Sequence, residues 1–320
     1  MGKLRACLHL NELKSLNPTE MYSSSSSIFG FVLAAGVMAA LSIVLVPYCV
    51  AQQTPAQETH EDLAAIIQKS VQANNRDWDA APNYDNEETD RDADGSKTYQ
   101  VTTVLGSPYE RLIAINGKEL TGAQRVEQQK KYEQMLAHRK AESPAQRSQR
   151  IAKYQASRRR DHQMLQQLTK AFDFASEGQQ TLGDRKVYVL KATPRPGYKP
   201  PNRDTQVLPG MEGKLWIDSE TYQWVKVEAH VIRPVSIEGF LAQVEPGTRF
   251  ELEKAPVGDN IWLPKHYAMS ASAKVFFLVP HHSHEDDTYF NYRKSQNSSA
   301  ADAQPRSMKD QYANSRSTNP

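Results

Sequence analysis

The stretch MEGKLWIDSETYQWVKVEAHVIRPV, residues 211–235, decides the fold of this chain. Two arms of alternating residues flank Asp218-Ser219-Glu220-Thr221, a set of turn formers. Leu215, Ile217, Val225, Val227, Ala229 and Val231, at odd positions, are apolar or small; Glu212, Lys214, Lys226, Glu228 and His230, at even positions, are polar. A period of two over both arms predicts an antiparallel hairpin with one face buried and the other toward water. Trp216 and Trp224 fall at even positions. They could line a ligand pocket, but cross-strand tryptophans more often pack the sheet itself, and both are expected on the outward face.

The same pattern repeats on either side. Residues 99–104 and 109–115 flank Gly106-Ser107-Pro108, 172–174 and 186–192 flank Gly183-Asp184, and 250–253 and 261–278 flank Gly258-Asp259-Asn260. Each reads as a hairpin. In the last arm Tyr267, Met269, Ala271, Ala273, Val275 and Phe277 share a face. Residues 287–292 read as a final edge strand, the acidic stretch 74–95 as an exposed loop or frayed strand, and 193–209 as a proline-rich loop. Two helical regions interrupt the strands. Residues 63–71 carry Leu63, Ile66, Ile67 and Val71 at helical spacing, about three turns. Residues 118–170 form a helical insertion announced by two capping boxes, Thr121…Gln124 and Ser143-Pro144…Gln146.

The ends differ from this body. Residues 28–46 hold no charge, follow Lys3, Arg5, Lys14 and a serine tract, and lead to Cys49-Val50-Ala51, small residues at the −3 and −1 positions of a signal-peptidase site. Residues 1–51 therefore read as an export signal, with a retained membrane anchor as the alternative. Residues 52–292 form a single domain, and 293–320, rich in Ser, Asn, Gln and Ala, a disordered tail. Both cysteines lie in the leader, so an exported body has no thiol, which excludes a disulfide framework, a thiolate metal site and a cysteine nucleophile. The insertion carries thirteen Lys/Arg against five Asp/Glu, a surplus of eight in a chain of net charge +2, so the remainder carries −6. Arg158-Arg159-Arg160 is its densest point. Such a run is either a solvated helix face or a patch for an anionic partner, a phospholipid headgroup or an acidic protein surface. No aromatic platform interleaves the charges, which argues against nucleic acid.

Gly213-Lys214-Leu215-Trp216-Ile217-Asp218-Ser219-Glu220-Thr221 with Val225-Lys226-Val227-Glu228, and Trp262-Leu263-Pro264-Lys265 downstream, resemble the hairpin signature of the LolA/LolB-like outer-membrane lipoprotein-sorting and lipid-carrier superfamily. The resemblance implies an α+β fold: a strongly curved antiparallel sheet, an unclosed half-barrel, with helices covering its concave face. It implies a periplasmic, non-enzymatic binder of lipid or lipoprotein acyl chains, without a cofactor. The side chains expected to line its cavity are Leu215, Ile217, Val225, Val227, Tyr267, Met269, Ala271, Val275 and Phe277. The chain departs from the family in its basic insertion and its proline-rich loop. An envelope structural or sensory protein, binding a protein partner through the basic helices, is the alternative.

Little else points to chemistry. His281-His282-Ser283-His284-Glu285-Asp286-Asp287 is ligand-rich, but follows Pro280 and reads as a polar hairpin tip, so no metal site is assigned. There is no Gly-x-Ser-x-Gly elbow, phosphate loop or His-Glu-x-x-His motif. No catalytic residue is expected.

Overall fold

In a computed structural model the described residues are 62–237, 242–275 and 279–295. They belong to one compact unit; a second unit, Leu8–Glu61, and with it the expected signal and cleavage site, lies outside the described residues, as does the tail from 296. No helix among the described residues is long and apolar enough to cross a membrane.

The helices are α1 (Leu63–Ala80), α2 (Gly122–Ala141) and α3 (Pro144–Ala171). The strands are β1 (Tyr84–Asp92), β2 (Gly95–Val104), β3 (Ser107–Ile115), β4 (Lys118–Glu119), β5 (Phe172–Leu182), β6 (Arg185–Pro194), β7 (Met211–Asp218), β8 (Trp224–Val231), β9 (Val235–Ile237), β10 (Ala242–Val244), β11 (Arg249–Gly258), β12 (Ile261–Val275) and β13 (Val279–Lys294). All form one antiparallel sheet in the order β4-β3-β2-β1-β13-β12-β11-β8-β7-β6-β5, with β9 and β10 paired beside β12. The sheet is not closed, and the fold is α+β, as the resemblance to the LolA/LolB-like superfamily implies.

The two edge strands, β4 and β5, are consecutive in the chain. In a closed barrel they would pair; here α2 and α3 connect them. A 28-residue helix such as α3 is about 42 Å long, against roughly 48 Å for ten strand spacings laid flat. The helical insertion is therefore the crossover of the open sheet, and α3 is long enough to strap it from one half to the other.

Three arginines fasten the strap. Arg139 of α2 donates to the carbonyls of Val104, Ser107 and Pro108 at 2.7–3.1 Å. Arg150 of α3 donates to the Leu105 carbonyl, Ser107 Oγ and both oxygens of Glu142. Both grip the β2–β3 turn, where Gly106 has φ +89° and a Cβ would stand 2.8 Å from Ile151 of α3. Midway, the buried Arg158 guanidinium donates to the Trp78 carbonyl and lies 4.4 Å from the indole, which donates back to the Arg158 carbonyl at 3.3 Å. At the C-terminal end Leu168 packs with Phe172, Phe174 and Leu208. The proline-rich loop closes over this end, Tyr198 donating to Gln167 at 3.2 Å.

Several elements differ from expectation, each for a local reason. Helix α1 runs to Ala80, well past residue 71, because its second half is buried by polar contact. Asp77 accepts from Gln223 Nε2 and the Trp262 N–H at 3.0 Å each and pairs with Lys254, which also donates to Asn74. An apolar period could not register that face. Within the stretch expected as an exposed loop or frayed strand, Tyr-Asp-Asn-Glu-Glu-Thr-Asp-Arg-Asp forms β1, an interior strand paired with β2 and β13. The histidine tract belongs to β13: among the described residues, 281–285 pair only with β12, at the turn end of the β12–β13 hairpin, while from Asp286 onward β13 also pairs with β1 and is interior to the sheet, not an edge.

Trp224 is a further correction. Across β7–β8, Leu215 faces Val227 and Trp216 faces Lys226, but Ile217 faces Trp224. The register slips by one residue at a bulge, which inverts the parity of Trp224 and turns it inward. It is 4% exposed beside Ile66, Leu190, Leu215 and Ile217. Trp216 keeps the outer face, with Lys226 5.9 Å from its ring.

Candidate functional site

Opposite residues of an antiparallel ladder project to the same side of a sheet. Starting from Leu215, the register leads through Val227, Leu252, Tyr267 and Asp287 to Asp90. One face thus changes from aliphatic to aromatic to acidic as it crosses the sheet. Over the aliphatic part lie α1 and the C-terminal half of α3: Ile66 is buried with Leu190, Leu215, Ile217 and Trp224, and Leu63, Ile67, Leu165 and Leu168 pack around them.

Over the acidic part α3 stands off, and a cavity of 320 Å³ opens between its N-terminal half and β1–β3. Its roof is Lys153, Tyr154, Ser157 and Arg158 of α3, with Arg150 at the β2–β3 turn. Its walls and floor include Tyr84, Glu88, Val101, Thr103, Tyr289 and Tyr292, and Leu263 with Pro264 closes one end. The aromatic walls are partly pinned: Tyr292 donates to the Pro264 carbonyl at 2.7 Å, and Tyr289 to Asp287 at 3.4 Å. Burial raises the Tyr154 hydroxyl above its ordinary pKa, with Arg158 opposing. Burial first, then the neighbouring Glu88 carboxylate, pushes Tyr289 and Tyr292 far above the phenol range, so all three remain neutral donors.

Behind the floor, Glu88, Asp90 and Asp287 bring ligand oxygens within 4.8 Å of one another. Among the described residues this group of hard oxygen donors has the make-up to hold a divalent cation. The expectation of no metal site rested on the histidine tract, of which Asp287 and Glu285 lie on the inner face, opposite Tyr267 and Met269. His281, His282 and His284 are exposed, and His282 Nδ1 shares a 3.0 Å hydrogen bond with Ser272.

The residues expected to line a cavity are divided. Leu215, Ile217 and Val227 belong to the packed aliphatic region. Val225 is the residue skipped in the β7–β8 register. Tyr267 and Met269 are buried in a second cluster with Tyr289, against which Ala271, Phe250 and Tyr292 pack. The Val275 side chain and Phe277 lie outside the described residues. None of the seven that are described lines the 320 Å³ cavity. Of the arginine triplet, Arg158 is not part of a surface patch: it is buried against Trp78, leaving Arg159 and Arg160 exposed. The cavity-lining residues were missed because β1 reads as an exposed loop or frayed strand and Tyr154 and Ser157 sit in a helix dominated by charge. The signal that could have found them is Tyr289, Tyr292 and Glu88, large or charged groups on strands that pair.

No protein-family model matches the chain, and no curated protein does. Solved structures similar to it include a DUF1329 family protein from Desulfovibrio piger, at 8% identity over 73% of this chain and 93% of that one, TM-score 0.28. A putative outer membrane lipoprotein-sorting protein domain from Vibrio parahaemolyticus aligns at 10% identity over 72% and 94%, TM-score 0.26. MucB, solved in complex with MucA(peri), aligns at 11% identity over 73% and 99%, TM-score 0.20. The lipoprotein-sorting domain is of the LolA/LolB-like kind that the central hairpin resembles. Superposition this loose carries no weight for function, which rests on the chain's own geometry.

Proposed function

We propose that this chain is an exported, non-enzymatic binding protein of the cell envelope that carries one acyl chain, from a lipid or a lipoprotein, in the cavity beneath α3. The observation that carries the reading is the cavity itself: a half-open cleft between an open antiparallel sheet and a strapping helix, lined by tyrosines and aliphatic groups with charged side chains among them. Its size favours a single chain. At roughly 30 Å³ per water-sized group, 320 Å³ accommodates about ten such groups, near the lower end of ligand sites. A lipid with several chains would have to leave the others outside or move α3.

The chemistry of the lining favours holding over reacting. No histidine lines the cavity among the described residues, and Ser107 Oγ accepts from Arg150 at 2.7 Å. An activated nucleophile needs a base within hydrogen-bond reach. The test is titration of the protein with a fluorescent single-chain fatty acid, before and after Ser157→Phe, which fills the cavity from its roof. Saturable binding that weakens tenfold or more in the variant supports the proposal; no uptake, or uptake indifferent to Ser157→Phe, contradicts it.

A further inference from the structure

Three of the insertion's thirteen cations point inward and hold α2 and α3 to the body: Arg139, Arg150 and Arg158. Two more are paired on the surface, Lys131 with Glu127 at 2.7 Å and Arg125 with Glu119 at 3.7 Å. The rest, Lys118, Lys130, Lys140, Arg147, Lys153, Arg159, Arg160 and Lys170, are exposed and have no carboxylate within 4.0 Å among the described residues. A solvated helix normally intersperses its charges with opposite ones. This one has spent its few acids and keeps a surplus.

Half of the surplus is also oriented outward, although Lys153 borders the cavity. At 100° per residue, Arg159, Arg160 and Lys170 fall on the side of α3 opposite Tyr154, Leu165 and Leu168, which face the sheet. On α2, which buries none of its residues, Val126 and Lys130 fall opposite the half-buried Tyr132 and Arg139. Val126 is 70% exposed. Unpaired cations with an exposed aliphatic group match an anionic bilayer surface, whose headgroups meet the charge and whose boundary accepts the apolar group. We infer that the outward side of α2 and α3 is a docking face for an anionic phospholipid surface. This surface is distinct from the cavity and does not depend on what the cavity holds.

The experiment is co-sedimentation of the full chain with vesicles of phosphatidylglycerol and phosphatidylcholine, against vesicles of phosphatidylcholine alone. The apolar run 28–46 can partition into both, so the excess on anionic vesicles reads the cations. That excess is expected to fall about 30-fold in Arg159→Gln/Arg160→Gln, from about 1 kcal/mol for each charge, and to shrink with added salt. Neither side chain holds the fold, so the variant keeps the parent's melting temperature, which checks that a loss is not unfolding. Equal binding to both vesicle types, or an excess unchanged in the variant, overturns the inference. Soluble polyglutamate displacing the protein from anionic vesicles at equal charge concentration also overturns it, pointing instead to an acidic protein.

Discussion

Between β6 and β8 the inner face is finished by apolar contact: Leu190, Leu215, Ile217 and Trp224 cluster with Ile66 of α1. Between β13 and β2 the same face, followed along the same register, presents Asp287, Asp90 and Glu88 under Tyr289, and α3 spans it across a 320 Å³ cavity. The two halves share one sheet and one strapping helix. They differ in what holds the helix down. In the packed half it is buried area. In the open half it is point contacts at the ends, Arg150 and Ile151 at the β2–β3 turn and Arg158 on Trp78. Fastening by a few directional contacts lets a helix stand clear of the sheet between them, which a continuous apolar stripe would not allow. The packed half is the anchor and the open half the site.

That division can be broken by mutation, and the largest effects belong to the packed half. Asp77→Leu removes the counter-charge of Lys254, whose pKa burial already lowers, and leaves an ammonium in the core. A loss of about 3–5 kcal/mol is expected in urea unfolding, most of it recovered when Lys254→Met is added. Ile217→Ala, at a site with no exposure, is expected to cost about 2–5 kcal/mol while leaving the affinity of the cavity unchanged. If Ile217→Ala instead weakened ligand binding as strongly as Ser157→Phe, the two halves would be one site.

Gly106→Ala sharpens the contrast from the other side. Its Cβ would crowd Ile151 and its φ of +89° is unfavourable to any side chain, so a cost of about 1–3 kcal/mol is expected. Because it lifts α3 at the turn that anchors the open half, ligand affinity should fall with it.

The smallest expected effect is of pH. His162 stacks on Trp78 at 4.4 Å; burial first, then Arg158, lowers its pKa, with Asp79 opposing. A histidine lowered on folding stabilises the native state fully above its ordinary value near about 6.5, and the contribution is lost as pH falls through that value and on through the lowered one. Melting temperature between neutral and mildly acidic pH is expected to decline in the parent and to decline less in His162→Phe.

The packed half was largely legible in the sequence, because its strands alternate cleanly: the hairpins β5–β6, β7–β8 and β11–β12 are where residues 172–192, 211–231 and 250–275 place them. The capping boxes at Thr121 and Ser143 start α2 and α3 as read. What failed has a common physical cause. The second half of α1 and all of β1 are held by polar contacts, Asp77 with Lys254 and Gln223, and Glu88 opposite Tyr289, so neither shows a hydrophobic period. Trp224 was misplaced by a single skipped residue, since a bulge leaves no mark in an alternating pattern. The candidate site lies in the part of the sheet that polar residues build, and an apolar pattern points to the half that is packed by apolar contact.

The most direct test is where a bound acyl chain sits. A single-chain fatty acid bearing a spin label should broaden the amide NMR signals of Val101, Thr103, Tyr154 and Tyr289, around the cavity under α3, and leave those of Leu190, Leu215 and Ile217 sharp. Broadening centred on Leu215 and Ile217, or spread evenly over both halves, would contradict the division of the sheet into anchor and site.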